Sequence, residues 1–348
     1  MSHVKGERPP AREEGTRPVW IDCDPGHDDF VAVMLAWAFQ EVLGISTVHG
    51  NAPLKETTVN ALRAAHVCGR YETPIVAGAD RPLLRDSRAC PAIHGESGLG
   101  GFDFPALPDS LRSRTDTTAV QLMHDTIHDY WKRTGKQVTL LVTGCHTNIA
   151  LLLAVYPDIT DALEEIIFLG GAIGIGNTHP AAEFNIEIDP EAFAMVLRHA
   201  VRVRLTMIPL EVSHTALVSE SVLERIDGLP SSTSGDHRFS NMLRDLLLFF
   251  RETYADQFEM PDPPLHDPCA VFFAMHPECF ETRWCQVAVE TGTALSAGRT
   301  LVDLLHTKRL PESGPVIQVA LRMDVDAFWD RMMEAWGRFA ENPWPERG

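Results

Sequence analysis

The sequence of 348 residues lacks the features that define several classes of protein. No apolar run approaches the roughly 20 residues of a membrane helix, and the N-terminus has no apolar signal-peptide core. The seven cysteines include no CxxC pair, which is a common spacing in zinc sites. These absences predict a soluble cytoplasmic protein with reduced thiols, no zinc and no membrane partner.

Positive charge is also scarce. The chain has 30 Lys and Arg residues against 48 Asp and Glu residues, a formal net charge of -18. Such an excess of negative charge repels the phosphate backbone of DNA and RNA, whereas a small neutral molecule is indifferent to it. We therefore expect a small-molecule partner and no nucleic-acid partner.

The middle of the chain contains no stretch with the composition of a linker. Residues 1–17 are polar and show no hydrophobic period, which predicts a mobile, disordered N-terminal tail. Length alone would allow two domains, but single α/β units also reach this size. We expect residues 18–345 to form one large domain.

What the sequence does contain is a repeated alternation of strand-like and helical runs. Strand-like runs at 44–50, 138–144, 165–170 and 203–209 each precede a helical run. This alternation predicts an α/β fold, Rossmann-like, with a mostly parallel central sheet and helices on both faces. After about residue 213 the pattern becomes helical, which predicts an appended helical region near the sheet edge.

Polar residues follow several of these strand-like runs. Parallel sheets of this kind bind ligands at the carboxyl ends of their strands, so these residues are candidates for a site. They are Asp24, Asn51, Thr143, Asn177, Glu183 and Asn185.

The first strand-like run is followed by a concentration of acidic residues. A buried strand over 19–23, a Pro-Gly turn and a buried helix over 30–39 bring together four carboxylates, those of Asp22, Asp24, Asp28 and Asp29. Carboxylates this close raise one another's pKa unless a cation neutralises them, and oxygen ligands suit Ca²⁺ or Mg²⁺. The alternative is helix capping by solvated acids. We therefore predict a metal site here.

Five motifs occur in an order that resembles the inosine–uridine preferring nucleoside hydrolases. They lie at residues 22–29, 94–98, 143–148, 182–186 and 266–268, and the similarity runs from about 18 to 340. The resemblance implies an enzyme that uses Ca²⁺ and water to cleave the N-glycosidic bond of a ribonucleoside. The products would be ribose and a free base for nucleoside salvage. We also expect a homodimer or homotetramer.

The resemblance also implies roles for individual residues. It places Ca²⁺ on Asp24, Asp29, the backbone carbonyl of Thr143 and Asp267, with Asp24 also acting as the general base. The residues that it implies for substrate binding are Asp28, Asn51, His94, Asn177, Glu183 and Asn185.

Leaving-group chemistry is assigned to the C-terminal half. His266 is the candidate acid that protonates the departing base, because an unperturbed imidazole titrates near neutrality. Tyr254 supplies a hydroxyl on the helical run 238–258, where Phe258 has no proton to give. The plainer alternatives are a helix cap or a core histidine for His266 and loop capping for the polar residues. His27 is expected to point outward from its turn.

Two other functions stay open. One is a non-catalytic homologue that binds Ca²⁺ or a nucleoside, and the other is an acid-dependent phosphohydrolase. The second would need Lys or Arg to hold a phosphate, and the five motifs contain neither. The preferred base also stays open among uridine, cytidine and inosine.

Overall fold

The computed structural model describes residues 6–11, 15–231, 235–292, 295–307, 310 and 315–341. These residues form a nine-stranded sheet with the strand order β3-β2-β1-β4-β5-β6-β9-β7-β8. The strands are β1 Pro18–Cys23, β2 Glu41–Thr47, β3 Ile75–Ala77, β4 Val138–Val142, β5 Leu163–Leu169, β6 Arg204–Ile208, β7 Phe280–Val289, β8 Thr300–Val302 and β9 Val316–Met323. Seven of them, from β3 to β9 in this order, pair in parallel, which confirms the predicted α/β fold.

Helices cover both faces of the sheet. They are α1 His27–Phe39, α2 Leu54–Val67, α3 Pro91–His94, α4 Ala119–Thr134, α5 Thr147–Val155, α6 Phe184–Glu187, α7 Pro190–His199, α8 Leu210–Ser213, α9 Glu220–Asp227, α10 Arg238–Phe258, α11 Pro268–Met275 and α12 Val325–Ala340. None of the described helices is long and apolar enough to cross a membrane.

The central strand β1 shows how the sheet separates two apolar cores. All six of its residues are buried. Because side chains alternate along a strand, Ile21 packs into the core under α1, α11 and α12, whereas Trp20 packs into the core under α4, α5 and α7. Burial on both faces explains why this strand lacks the alternating polar pattern of a one-sided sheet.

The predicted helical region after residue 213 is correct only as far as α11. From residue 280 the chain returns to the sheet, where β7 pairs in an antiparallel manner with both β8 and β9. The side chains of β7 alternate between buried and partly exposed positions, as in a sheet with one face toward water. That weak period-two signal was available in the sequence.

The N-terminal segment that was predicted to be a mobile tail is paired at one point. The backbone N–H of Glu7 donates to the carbonyl of Thr282 on β7, and the N–H of Thr282 donates to the carbonyl of Glu7, both at 2.7 Å. Glu7 is therefore paired with β7, whereas the sequence predicts a mobile tail at this position. The edge of a strand offers backbone hydrogen-bond partners, which the amino-acid composition of the tail does not reveal. Residues 1–5 and 12–14 of this segment, and 342–345 of the predicted domain, lie outside the described residues.

Candidate active site

The carboxyl ends of the parallel strands and two helix starts meet at one acidic cluster. Asp28 and Asp29 lie in the first turn of α1, and Asp267 directly precedes α11. One carboxylate oxygen from each of these three buried residues lies within 4.8 Å of the others. In the sequence, Asp267 lies at least 238 positions after the other two acids. The fold therefore brings distant parts of the chain together at this cluster.

Asp24 approaches this cluster from the end of β1. Its Oδ2 accepts a hydrogen bond from the backbone N–H of Asn51 at 2.7 Å, and its own N–H donates to Asp29 Oδ1 at 3.3 Å. Its Oδ1 is buried and has no hydrogen-bond partner among the described residues. A buried carboxylate oxygen without a donor is unusual, and such an oxygen fits the role of a cation ligand.

Two glycines pack directly against the Asp24 carboxylate. A Cβ atom at Gly144 would lie 2.7 Å from Asp24 Oδ1, and one at Gly50 would collide with Asp24 Oδ2. Both positions therefore require glycine for the backbone to approach the carboxylate.

The loop after β4 supplies the predicted carbonyl. The hydroxyl of Thr143 donates to Asp29 Oδ1 at 2.7 Å, which holds this loop against the acidic cluster. The carbonyl of Thr143 accepts from Asn185 Nδ2 at 2.6 Å. The Asn185 side chain thus connects the short helix α6 to the backbone carbonyl that is predicted to bind the metal.

The electrostatics of the cluster favour a bound cation. Burial, together with the charge of Asp29, raises the pKa of Asp24 well above its ordinary value and that of Asp28 to about 7. Burial and the neighbouring carboxylates also raise the pKa of Asp267. Two like charges about 4 Å apart repel by about 4 kcal/mol at an effective dielectric constant of about 20. The all-oxygen donor set, with unpaired oxygens on Asp24 and Asp28, suits Ca²⁺.

A cavity opens beside the cluster. Ten of the sequence-predicted residues line it, which are Asp28, Asn51, His94, Thr143, Asn177, Glu183, Asn185, Tyr254, His266 and Asp267. Asp24 and Asp29 are absent from its walls, and Asn51 bridges to them by donating from its side chain to Asp29 Oδ2 at 2.9 Å and from its backbone to Asp24.

The loop before α6 combines capping with a place in the cavity wall. Glu183 accepts hydrogen bonds from the backbone N–H groups of Asn185 and Gly171, each at 2.8 Å. Asn177 Oδ1 accepts from the N–H of Phe184 at 3.0 Å. Loop capping, the alternative considered from sequence, is therefore present together with cavity lining. Burial raises the pKa of Glu183 to about 7, although the backbone donors oppose that shift.

His266 is held on both ring nitrogens. Nδ1 lies 2.8 Å from the Ser213 hydroxyl at the end of α8, and Nε2 lies 3.0 Å from the Tyr254 hydroxyl on α10. Burial, and in lesser part the charge of His214, lowers the pKa of His266 well below its ordinary value. The ordinary pKa that supported His266 as an acid from sequence therefore does not apply in this buried position.

Several residues at the site were missed or misplaced from sequence, among them Ser213, Cys90 and His27. Ser213 follows β6, so the strand-end rule could have found it, whereas Cys90 lines the cavity without a motif to mark it. His27 is 1% exposed, so the expectation that it points outward is wrong. Its ring is buried because α10 packs Phe249 and Phe250 against it.

Known proteins resemble this chain over most of its length. The sequence model described as inosine-uridine preferring nucleoside hydrolase matches residues 19–330. A Dictyostelium discoideum protein described as "Probable ribonucleoside hydrolase" is 40% identical over 329 residues, which cover 91% of this chain and 94% of the relative. The "Pyrimidine-specific ribonucleoside hydrolase RihA" of Shewanella oneidensis is 38% identical over 87% of this chain and 91% of its own.

A solved structure agrees with these relatives. The purine-preferring ribonucleoside hydrolase from Gardnerella vaginalis superposes with a TM-score of 0.81 at 27% identity, over 93% of this chain and 99% of its own. The fold, the buried acidic cluster and the matched length lead to one assignment. The chain is an enzyme of the inosine–uridine preferring nucleoside hydrolase family, as its five motifs predict.

Proposed function

We propose that this enzyme uses Ca²⁺ to hydrolyse the N-glycosidic bond of ribonucleosides to ribose and free base, a reaction of nucleoside salvage. The observation that carries the proposal is the buried cluster of carboxylate oxygens beside a cavity. Carboxylates and an imidazole line that cavity. Carboxylates suit a positively charged sugar in the transition state, and an imidazole suits a departing nitrogen base.

Four groups would hold the ion. They are the carboxylates of Asp24, Asp29 and Asp267 and the carbonyl of Thr143, with Asp28 close enough to contribute charge. Bound Ca²⁺ would lower the pKa of the attacking water and orient the ribose 2′- and 3′-hydroxyls. Asp24 accepts the proton of that water, because its Oδ1 has no donor among the described residues.

The ribose would lie against the carboxylates of the cavity. Asp28 Oδ1 is buried and unpaired within the described chain, so it can accept from a sugar hydroxyl. Glu183 and Asn185 line the same wall. The transition state of glycoside hydrolysis resembles an oxocarbenium ion, and these oxygens stabilise its developing positive charge.

The proton for the base would come from the Ser213–His266–Tyr254 chain. Burial raises the pKa of Tyr254 well above its ordinary value, so its hydroxyl keeps its proton and can donate. His266 lies between the two hydroxyls, so a protonated ring could give its Nε2 proton to Tyr254 as Tyr254 gives its own proton to the base, which leaves a neutral imidazole. The candidate acid is thus His266 together with Tyr254.

Pyrimidine nucleosides are the proposed preferred substrates. The support is the pyrimidine specificity named for the Shewanella oneidensis relative at 38% identity, against 27% identity for the purine-preferring Gardnerella vaginalis structure. We also propose a cytoplasmic homodimer or homotetramer, as the family resemblance implies.

A phosphohydrolase is disfavoured by the composition of the cavity. None of the residues that line it is Lys or Arg, which such an enzyme needs to hold phosphate. A non-catalytic binding protein is the remaining alternative. A measurement of ribose release distinguishes it from the proposed enzyme.

The purified enzyme is expected to release ribose from uridine and cytidine, with a higher kcat/KM than for inosine. Chelation should abolish the activity and Ca²⁺ should restore it, because the ionised cluster depends on a cation. A reducing-sugar assay measures turnover, and elemental analysis after gel filtration should find one calcium per chain. Stoichiometric zinc, or full activity after chelation, would contradict the metal assignment. Nucleoside binding without ribose release would support the non-catalytic alternative.

Replacement of His266 by Ala is expected to affect natural and activated substrates differently. Uridine hydrolysis should fall by about 10²-fold or more, because the base leaves poorly without a proton. A nitrophenyl riboside should be hydrolysed at nearly the wild-type rate, since its phenolate leaves unaided. The two kcat values measure this difference, and Tyr254→Phe should show a smaller change with the same pattern. Equal losses on both substrates would show that His266 positions Asp267 or the sugar instead.

A further inference from the structure

Two stacked histidine rings lie at the edge of the cavity, and the mechanism proposed above gives neither of them a role. His94 lines the cavity, and His27 lies behind it with a ring-centroid separation of 5.4 Å. His27 also stacks on Phe249 at 5.5 Å and on Phe250 at 5.1 Å. Burial of an imidazole among aromatic rings is costly unless its nitrogens are hydrogen-bonded, and both nitrogens of His27 have a neighbour within 3.2 Å.

The contacts of His27 determine where its protons are. Nε2 lies 2.9 Å from the carbonyl oxygen of Gly100, which can only accept, so Nε2 carries a proton. A second proton would leave a cation among apolar rings, and no carboxylate is among the hydrogen-bond partners of His27 in the described chain. Nδ1 of His27 is therefore an acceptor. It lies 3.2 Å from His94 Nδ1, which must then carry the proton that joins them.

A second group competes for the same nitrogen of His94. The backbone N–H of His27, at the start of α1, lies 3.3 Å from His94 Nδ1. It could donate only if that nitrogen had no proton. The packing leaves little room for another arrangement, because a Cβ at Gly26 would lie 2.6 Å from the same Nδ1. The side chain and the backbone of His27 thus favour opposite tautomers of His94. The side chain decides between them, because without a proton on His94 Nδ1 two nitrogen lone pairs would face each other at 3.2 Å.

We propose that His27 is a positioning residue that holds His94 in the Nδ1–H tautomer, so that His94 turns an unprotonated Nε2 to the cavity. Nδ1 is occupied by His27, and Nε2 has no hydrogen-bond partner among the described residues. In this state His94 accepts a hydrogen bond from a hydroxyl or N–H group of the nucleoside. That substrate contact rests on the proposed function, whereas the tautomer does not.

The tautomer is measured directly by nitrogen NMR of the full-length protein with ¹⁵N-labelled histidine, assigned with His94→Gln. We expect a protonated Nδ1 and an unprotonated Nε2 for His94 in the wild type. In His27→Phe the ring stack remains but the acceptor is lost, so the proton of His94 should move to Nε2. In His27→Asn the amide Oδ1 replaces Nδ1 as the acceptor, and the wild-type tautomer should be retained.

Kinetics test the consequence for the substrate. His27→Phe should lower kcat/KM for uridine by about tenfold, mostly through KM, because one hydrogen bond made in the ground state is lost. His27→Asn should recover most of this loss. Thermal melting of both variants separates this effect from unfolding.

The two measurements fail independently. An Nε2–H tautomer of His94 in the wild type, or the same tautomer in wild type and His27→Phe, overturns the inference whatever the activity. Equal kinetic losses in both variants would also overturn it, since a merely structural role would not distinguish Asn from Phe. Absence of turnover on every nucleoside would refute the proposed function and leave the tautomer result standing.

Discussion

Asp24→Asn is expected to lower kcat for uridine by about 10³-fold or more, while KM changes by less than about tenfold. The substitution removes the proton acceptor for the attacking water and one charge from the ion site. It retains an oxygen that can accept the N–H of Asn51, the bond that fixes the Asp24 side chain at 2.7 Å. The protein should therefore fold and still bind substrate. Steady-state kinetics and calcium content measure the two effects separately.

Asp22→Asn is the matched control for this prediction. Asp22 lies on the same strand two residues earlier, and its Oδ1 accepts from the Ser46 hydroxyl and, at 2.9 Å, from Asn148 Nδ2. It is not among the groups proposed to hold the ion, and Asn retains an oxygen for both donors, so its variant should keep kcat within about tenfold of the wild type. If Asp24→Asn lost no more activity than this control, another residue would have to be the base.

Removal of the 2′-hydroxyl from the substrate is expected to lower kcat/KM by about 10⁴-fold. This hydroxyl would contact the ion and the unpaired Oδ1 of Asp28, so a 2′-deoxynucleoside leaves buried polar groups without partners. Asn185 was the other predicted contact, and its amide nitrogen donates to the carbonyl of Thr143 at 2.6 Å, which leaves its Oδ1 to accept. We test Asp28 as the discriminating residue, because its unpaired oxygen belongs to a carboxylate, a stronger acceptor than an amide. Parallel progress curves with uridine and 2′-deoxyuridine give the ratio.

An Asp28→Asn variant tests this assignment. It should lower the rate on uridine more than the rate on 2′-deoxyuridine, so the ratio between the substrates should narrow. Equal wild-type rates on the two substrates would refute the geometry. If the ratio of the uridine rate to the 2′-deoxyuridine rate were unchanged in Asp28→Asn, the ion and not Asp28 would be the group that recognises the 2′-hydroxyl.

The parts of the site that sequence could predict are local or lie at strand ends. Asp28 and Asp29 follow Asp24 within one strand–turn–helix unit, so a short spacing determines their proximity. Thr143 follows a parallel strand next to β1, and its position could be expected because such strand ends share one edge. The family motif was needed for Asp267, because nothing local connects it to residues 28 and 29.

The parts that sequence could not predict depend on contacts between distant elements. Ser213 matters only because His266 lies 2.8 Å away, although 53 positions separate them. The burial of His27 depends on the packing of α10, and a side chain in the second position of a Gly-His turn gives no sign of that in the sequence. The lowered pKa of His266 has the same origin, because burial is a property of the assembled fold.

The glycines at 50 and 144 leave the ion site less freedom to evolve than the cavity lining. Backbone rather than side chains encloses Asp24 on these two sides, so almost any substitution there would displace the ion site. The cavity lining also includes ordinary side chains outside the proposed machinery, which are Cys90, Ile93, Thr178 and Phe258. A change of base preference, whether by natural divergence or in a mutant library, can therefore proceed at those four positions while the chemistry of ribose cleavage stays constant.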